Sequence, residues 1–212
     1  MTDFVSNFIA GFKAASQPVT IFQRPDLAAE LNEIDRRIEI LHAESTEGSL
    51  GDVGTQELEA RRDRLTEELE QSAHEFRVQA LSPERVEEIA ETARNAAKDK
   101  ADEAAKKARD WAREQCRRGD IKDPKEINSH LRRAASEASE SVIARETGIH
   151  TLAAAIVQPE LSVDDVRQLA EVMGEGQVQN LQKAFYEVSS LDPSASLPKS
   201  WRSGTTDGEA SL

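Results

Sequence analysis

Apolar positions in this chain fall into short periodic runs separated by turn residues. Leu27, Leu31, Ile34, Ile38 and Leu41 follow one another at spacings of 4, 3, 4 and 3, the signature of a heptad-type helical seam. The seam lasts about two heptads, short of the three or four that sustain a free coiled coil. Pro25-Asp26 opens this helix with proline near its first turn. Glu30, Glu33, Arg36, Arg37 and Glu39 supply its solvent face. Turn-forming residues then occupy 45–54, including Gly48, Gly51 and Gly54, and predict a flexible loop. A second helix is expected from Thr55 to Ser72, carrying Leu58, Leu65 and Leu69. Two helices joined by so short a loop form an antiparallel hairpin, each covering the other's seam.

The period changes on both sides of this hairpin. Val19-Thr-Ile-Phe22 is β-branched and aromatic, a short strand. From His74 to Ala80 the chain alternates, with Phe76, Val78 and Ala80 on one face and Glu75, Arg77 and Gln79 on the other. A helical hairpin returns its ends to one place, so the two strands are placed to pair.

Ser82-Pro83-Glu84 caps and opens the next helix, with Val86, Ile89, Ala90 and Ala93 on its apolar face. From Ala96 to Arg113 almost every residue is Ala, Lys, Arg, Asp or Glu, with Trp111 the one large apolar group. Helix propensity is high there, but so thin an alanine face predicts weak packing and a helix free to project. Arg117-Arg118-Gly119-Asp120 ends it, and Asp123-Pro124 opens another helix that carries Ile127, Leu131, Ala134, Ala135, Ala138, Val142 and Ile143. Gly148 reads as its end, with a separate short helix over Ile149–Val157 stopped by Pro159. Ser162 and Asp165 make an acidic variant of the capping box before the stripe Val163, Val166, Leu169, Ala170 and Met173. After Gly174 and Gly176 comes the stripe Val178, Leu181, Ala184, Phe185 and Val188. A loop that short sets these last two helices antiparallel.

Both ends have a different character. Phe4, Phe8 and Phe12, with Val5 and Ile9, form one apolar stripe that Ser16, Gln17 and Pro18 terminate. This stripe either docks on the rest of the fold or serves as a sticky helix for a partner groove. After Leu191 the composition turns to Pro, Ser, Gly, Thr and Asp, which predicts a disordered tail. Trp201 stands alone in it, either incidental or a partner anchor. The expected fold is therefore mainly α. It comprises an N-terminal amphipathic segment (1–17), a strand–helical hairpin–strand unit with a two-stranded β element (18–81), long Ala/Lys/Glu-rich helices (82–145), a C-terminal helical bundle (146–191) and the tail (192–212). Candidate partner-binding residues are Phe4, Phe8, Phe12, Leu181, Phe185 and Trp201.

Composition narrows the function. The 212 residues carry a net charge of −13, which disfavours nonspecific nucleic-acid and anionic-lipid binding. No stretch approaches the roughly 18 apolar residues of a membrane span, and the N-terminus lacks a secretion signal. The single cysteine, Cys116, excludes an internal disulfide and suits a reducing compartment. His42, His74, His130 and His150 share no helical metal-pair spacing. Gly48-Ser-Leu-Gly51-Asp-Val-Gly54 lacks the lysine of a phosphate loop, and no nucleophile elbow is present. The chain offers neither a catalytic constellation nor a cofactor motif, so it is expected to act by contact with other proteins.

The order of these elements resembles the tail assembly chaperones of long-tailed phages that infect actinobacteria. The resemblance rests on Arg24-Pro-Asp-Leu27 leading into a Glu/Arg-rich helix, and on Glu75-Phe-Arg-Val-Gln-Ala-Leu-Ser-Pro-Glu84. It continues in Leu161-Ser-Val-Asp-Asp-Val166, Gly176-Gln177, Phe185-Tyr-Glu-Val188 and Leu197-Pro-Lys-Ser200. It covers about 18–92 and 146–203. The chain departs from the family in continuing into the helix of 93–118, where relatives have a His-Pro-Pro turn, and in having Val178 where they have tryptophan. The middle is thus expected to be an insertion. The resemblance implies a nonstructural protein of the host cytoplasm, absent from the mature virion. Such a protein binds the phage tape measure protein, keeps it soluble and recruits the major tail tube protein, with a homo-oligomer also open. The alternative is a structural or scaffolding coiled-coil component of a phage particle.

Overall fold

The computed structural model describes residues 11, 13–44 and 51–191. The chain is mainly helical around a small antiparallel sheet. Its elements are β1 (Ser16–Phe22), α1 (Pro25–Glu44), α2 (Gly51–Gln71), β2 (Ala73–Gln79), α3 (Pro83–Arg118), α4 (Pro124–Ala155), β3 (Ile156–Gln158), α5 (Val163–Val172) and α6 (Glu175–Ser189).

β1 and β2 pair antiparallel as expected, with Val19 opposite Phe76 and Ile21 opposite His74. Opposed residues share a face. One face therefore presents Val19, Ile21, Phe76 and Val78 to the interior, and the other turns Thr20, Glu75 and Arg77 to solvent. Pro18 is tolerated because β1 is an edge strand, where a missing N–H breaks no ladder. The strand begins at Ser16, so Ser16–Pro18 belong to the sheet and not to the end of the N-terminal segment.

The hairpin of α1 and α2 rises between these strands. Its base is closed by Gln23 N–H donating to Ser72 C=O at 2.9 Å. Leu27, Ile34 and Ile38 are buried along the seam, with Leu58, Leu65 and Leu69 partly buried opposite. The second helix begins at Gly51, four residues before the expected Thr55, so Gly51 and Gly54 are helical. Two glycines weaken a helix by about 1 kcal/mol each, which is why they read as loop. Residues 45–50 lie outside the described residues.

α3 and α4 form a second, longer hairpin. Ser82 Oγ accepts from Arg85 N–H at 3.2 Å and Pro83 occupies the first turn, while Asp123 caps α4 through Lys125 N–H. In the turn between them, Asp120 takes the left-handed conformation at φ 52°, a position aspartate tolerates better than most residues. The alanine face is not weakly packed. Ala93, Ala97, Ala101, Ala105, Ala112 and Cys116 are all buried at spacings of four and seven, because methyl side chains let two helix backbones approach closely.

α4 corrects two expectations. It runs through Gly148 to Ala155 as one helix, so a boundary at 145 falls within it. Gly148 therefore lies inside the helix and does not end it; a Cβ there would meet only the end of the Gln182 side chain on α6, Nε2 at 3.2 Å. Ile156–Gln158 then leaves the helix as a strand, pairing with β2 through Arg77 and Val78 across a register shift. The sheet therefore has three strands, in the order β1-β2-β3. The β-branched pair Ile156-Val157 just before Pro159 favours this extended exit.

α5 begins with the full capping box. Asp165 N–H donates to Ser162 Oγ, and Ser162 N–H donates to Asp165 Oδ2. Gly174, at φ 75°, turns the chain into α6. The core forms where the sheet's inner face meets these helices: Ile21, Phe76 and Val78 pack with Ile149, Leu152, Ile156, Val166, Met173, Leu181 and Phe185.

Candidate partner-binding groove

Of the six sequence-predicted partner contacts, Leu181 and Phe185 are 3% and 8% exposed. Both fill the protein's own core and present no surface to a partner. Phe4, Phe8, Phe12 and Trp201 lie outside the described residues.

Among the described residues, an apolar groove lies instead where the sheet ends against α5. A groove of about 520 Å³ is bounded by Ile21, Phe22 and Pro25, by His74 and Phe76, by Pro159 and Leu161, and by Leu169, Val172 and Met173. Local sequence explains each wall. Pro25 starts α1 and stiffens the strand exit. Pro159 follows β3 within a turn that the Val157–Glu160 bridge closes. The capping box fixes the direction of α5, whose last turn forms the far wall. Val172 lies off the core stripe of α5 and is 77% exposed at the rim.

Gln177 holds this groove together. Its Oε1 accepts from Phe22 N–H at 2.7 Å and its Nε2 donates to Phe22 C=O at 2.9 Å. The same Nε2 also donates to Met173 C=O at 3.2 Å. One side-chain amide thus occupies the place of a neighbouring strand on the edge of β1 and ties it to the α5–α6 turn. The Gly176-Gln177 pair was visible in sequence, but nothing local showed that its target lay 155 residues away.

A polar cluster stands behind α5. Glu146, only 8% exposed, accepts from Arg167, and His150 Nε2 lies 3.6 Å from the same carboxylate. Arg167 also pairs with Asp164. The hydrogen bond it donates to Glu146 holds the Arg167 guanidinium more firmly protonated than usual. The cluster fixes α5 on α4; its carboxylate is already neutralised by the guanidinium. Among the described residues, no group of three or more His, Cys, Asp or Glu could hold a metal ion, and no helix is long and apolar enough to cross a membrane.

An apolar residue on the polar side of an amphipathic helix was the one sequence signal for the groove, and Val172 is such a residue. The geometry fits capture of an apolar ridge by contact. No protein family, curated protein or solved structure matches this chain.

Proposed function

We propose that the chain is a tail assembly chaperone of a long-tailed phage, which binds the tape measure protein, keeps it soluble and helps recruit tail tube subunits. The observation that carries this reading is where the resembling segments meet. Residues 18–92 and 146–203 are separated in sequence, yet Phe22, Phe76, Val78, Met173, Gln177 and Leu181 from both build one core and one groove. The remaining length of α3 packs along α4 as a separate arm. A working unit interrupted by an insertion has this form.

Physical chemistry supports the reading. A long helical partner with apolar faces aggregates unless those faces are covered. A groove with an exposed valine rim offers such cover, and a net charge of −13 keeps the complex soluble. The test is co-expression with the tape measure protein of the same genome. The chaperone reading expects co-purification and a shift of the partner into the soluble fraction; it fails if the partner stays insoluble and unbound. The scaffolding alternative draws on the two long helical hairpins, and abundant peptides of this chain in purified virions would favour it instead.

A further inference from the structure

The α1–α2 hairpin is acidic, whereas the α3–α4 arm, balanced over its whole length, is basic towards its tip. Over 25–71, spanning α1 and α2, fourteen acidic side chains stand against five basic ones, a net −9. Over 104–135, the distal half of the α3–α4 arm, ten basic stand against five acidic, a net +5. All ten basic side chains at that tip are exposed. Some are tied locally, as Arg113 is to Asp110 and Arg118 to Glu114, but Lys106, Arg109 and Arg132 make no ion pair among the described residues.

An aromatic anchor sits within this basic tip. Trp111 is 63% exposed and borders a shallow cleft of about 310 Å³ with Ile121, His130 and Arg133. Its neighbour Ala112 is buried in the helix pair, and Trp111 faces outward with Arg109, Asp110 and Arg113 beside it. An exposed tryptophan ringed by charge is the usual composition of a binding hot spot and its rim.

We infer that the α3–α4 tip, anchored by Trp111, docks on the acidic α1–α2 hairpin of a second copy of the same chain. The occupant follows from charge complementarity: the one strongly acidic surface certain to be present with this tip is that of another copy. Nucleic acid would meet the same tip, but the remaining residues carry a net −18 that repels phosphate. Two different surfaces meet in this contact, so it is heterologous and propagates as a ring or an open chain. The inference stands on charge and exposure alone and does not depend on the chaperone reading.

Sedimentation velocity of the full chain tests it. Association should rise with concentration and weaken about tenfold or more from about 0.05 to 0.5 M salt, as screening shortens. Trp111→Ala should weaken it by a similar factor without loss of helical circular dichroism. The decisive arm exchanges charge. A tip variant (Lys106→Glu, Arg109→Glu, Arg132→Glu) and a hairpin variant (Asp35→Lys, Glu39→Lys, Glu68→Lys) should each lose self-association, and their mixture should regain it. A monomer at every concentration and salt would overturn the proposal, as would association indifferent to Trp111→Ala or a mixture that stays apart. If a short single-stranded DNA binds at the tip while the chain alone stays monomeric, the tip is a nucleic-acid surface and the proposal falls.

Discussion

Gln177 grips Phe22 by both backbone groups, accepting the N–H at 2.7 Å and donating to the C=O at 2.9 Å. These are the groups that an edge strand leaves open, and here they are half-buried against the α5–α6 turn. Gln177→Ala strands both of them. The expected loss is about 1–3 kcal/mol, read as a lower urea midpoint and a Tm lower by about 2–4 °C for each kcal/mol. Gln177→Glu keeps the acceptor, removes the donor and sets a carboxylate against a carbonyl. It should therefore do no better than alanine at neutral pH. A glutamate variant as stable as the native chain would show that the Nε2 bond contributes nothing.

Gly148 sits inside α4, where glycine is about 1 kcal/mol less favourable than alanine. Its missing Cβ faces only the mobile end of Gln182, at 3.2 Å. Gly148→Ala should thus stabilise the chain by up to about 1 kcal/mol once Gln182 shifts. Gly148→Leu should destabilise it by about 1–3 kcal/mol, because a branched side chain meets the body of α6. Paired thermal melts decide both signs.

These two residues also mark how far local pattern reaches. The 3.6-residue period, the Ser82-Pro83, Asp123-Pro124 and Ser162-Asp165 caps and the alternation through Phe76 and Val78 located six helices and two paired strands. Each of these is a property of neighbours in sequence. Gly148 misled because a glycine inside a helix looks the same in sequence as one that ends it. The third strand was hidden in an apolar run too short to show its period, and its partner β2 lies far off in sequence. Leu181 and Phe185 are apolar whether their stripe meets the chain's own sheet or a partner, so sequence alone could not separate core from interface.

Glu146 and Arg167 form a pair in which one member is nearly enclosed. Arg167→Met leaves the carboxylate buried beside His150 without its guanidinium, a loss of about 3 kcal/mol. Changing both partners, Glu146→Leu with Arg167→Met, should recover much of that loss, since neither desolvated charge remains. A double-mutant cycle should give a coupling of about 1 kcal/mol or more. Strict additivity would show that the two side chains act independently.

Asp165 has its carboxyl held below the ordinary aspartate range, first by the Ser162 hydroxyl and then by the Ser162 backbone N–H. A lowered folded value means this contribution is complete above the ordinary aspartate pKa, about 3.9. It is lost as pH falls from there through the folded value. Asp165→Asn cannot ionise, so its stability should fall less steeply on acidification than that of the native chain. Ser162→Ala should lose about 1 kcal/mol of cap energy at neutral pH and flatten the acid limb in the same way. Urea midpoints at about pH 6 and pH 3 bracket the window.

Val172 offers the cleanest separation of fold from function. It is exposed, so Val172→Asp should change stability by no more than about 0.5 kcal/mol. It rims the apolar groove, so the same change places a charge where an apolar ridge would seat. Under the proposed chaperone function, desolvating that carboxylate without a partner should weaken tape measure binding about tenfold or more. Val172→Ile keeps the surface apolar and should retain binding. Equal binding by all three proteins, with melts unchanged, would move the contact away from this groove. A loss shared by aspartate and isoleucine would point instead to a steric requirement at the rim, and only the aspartate-specific loss supports apolar capture.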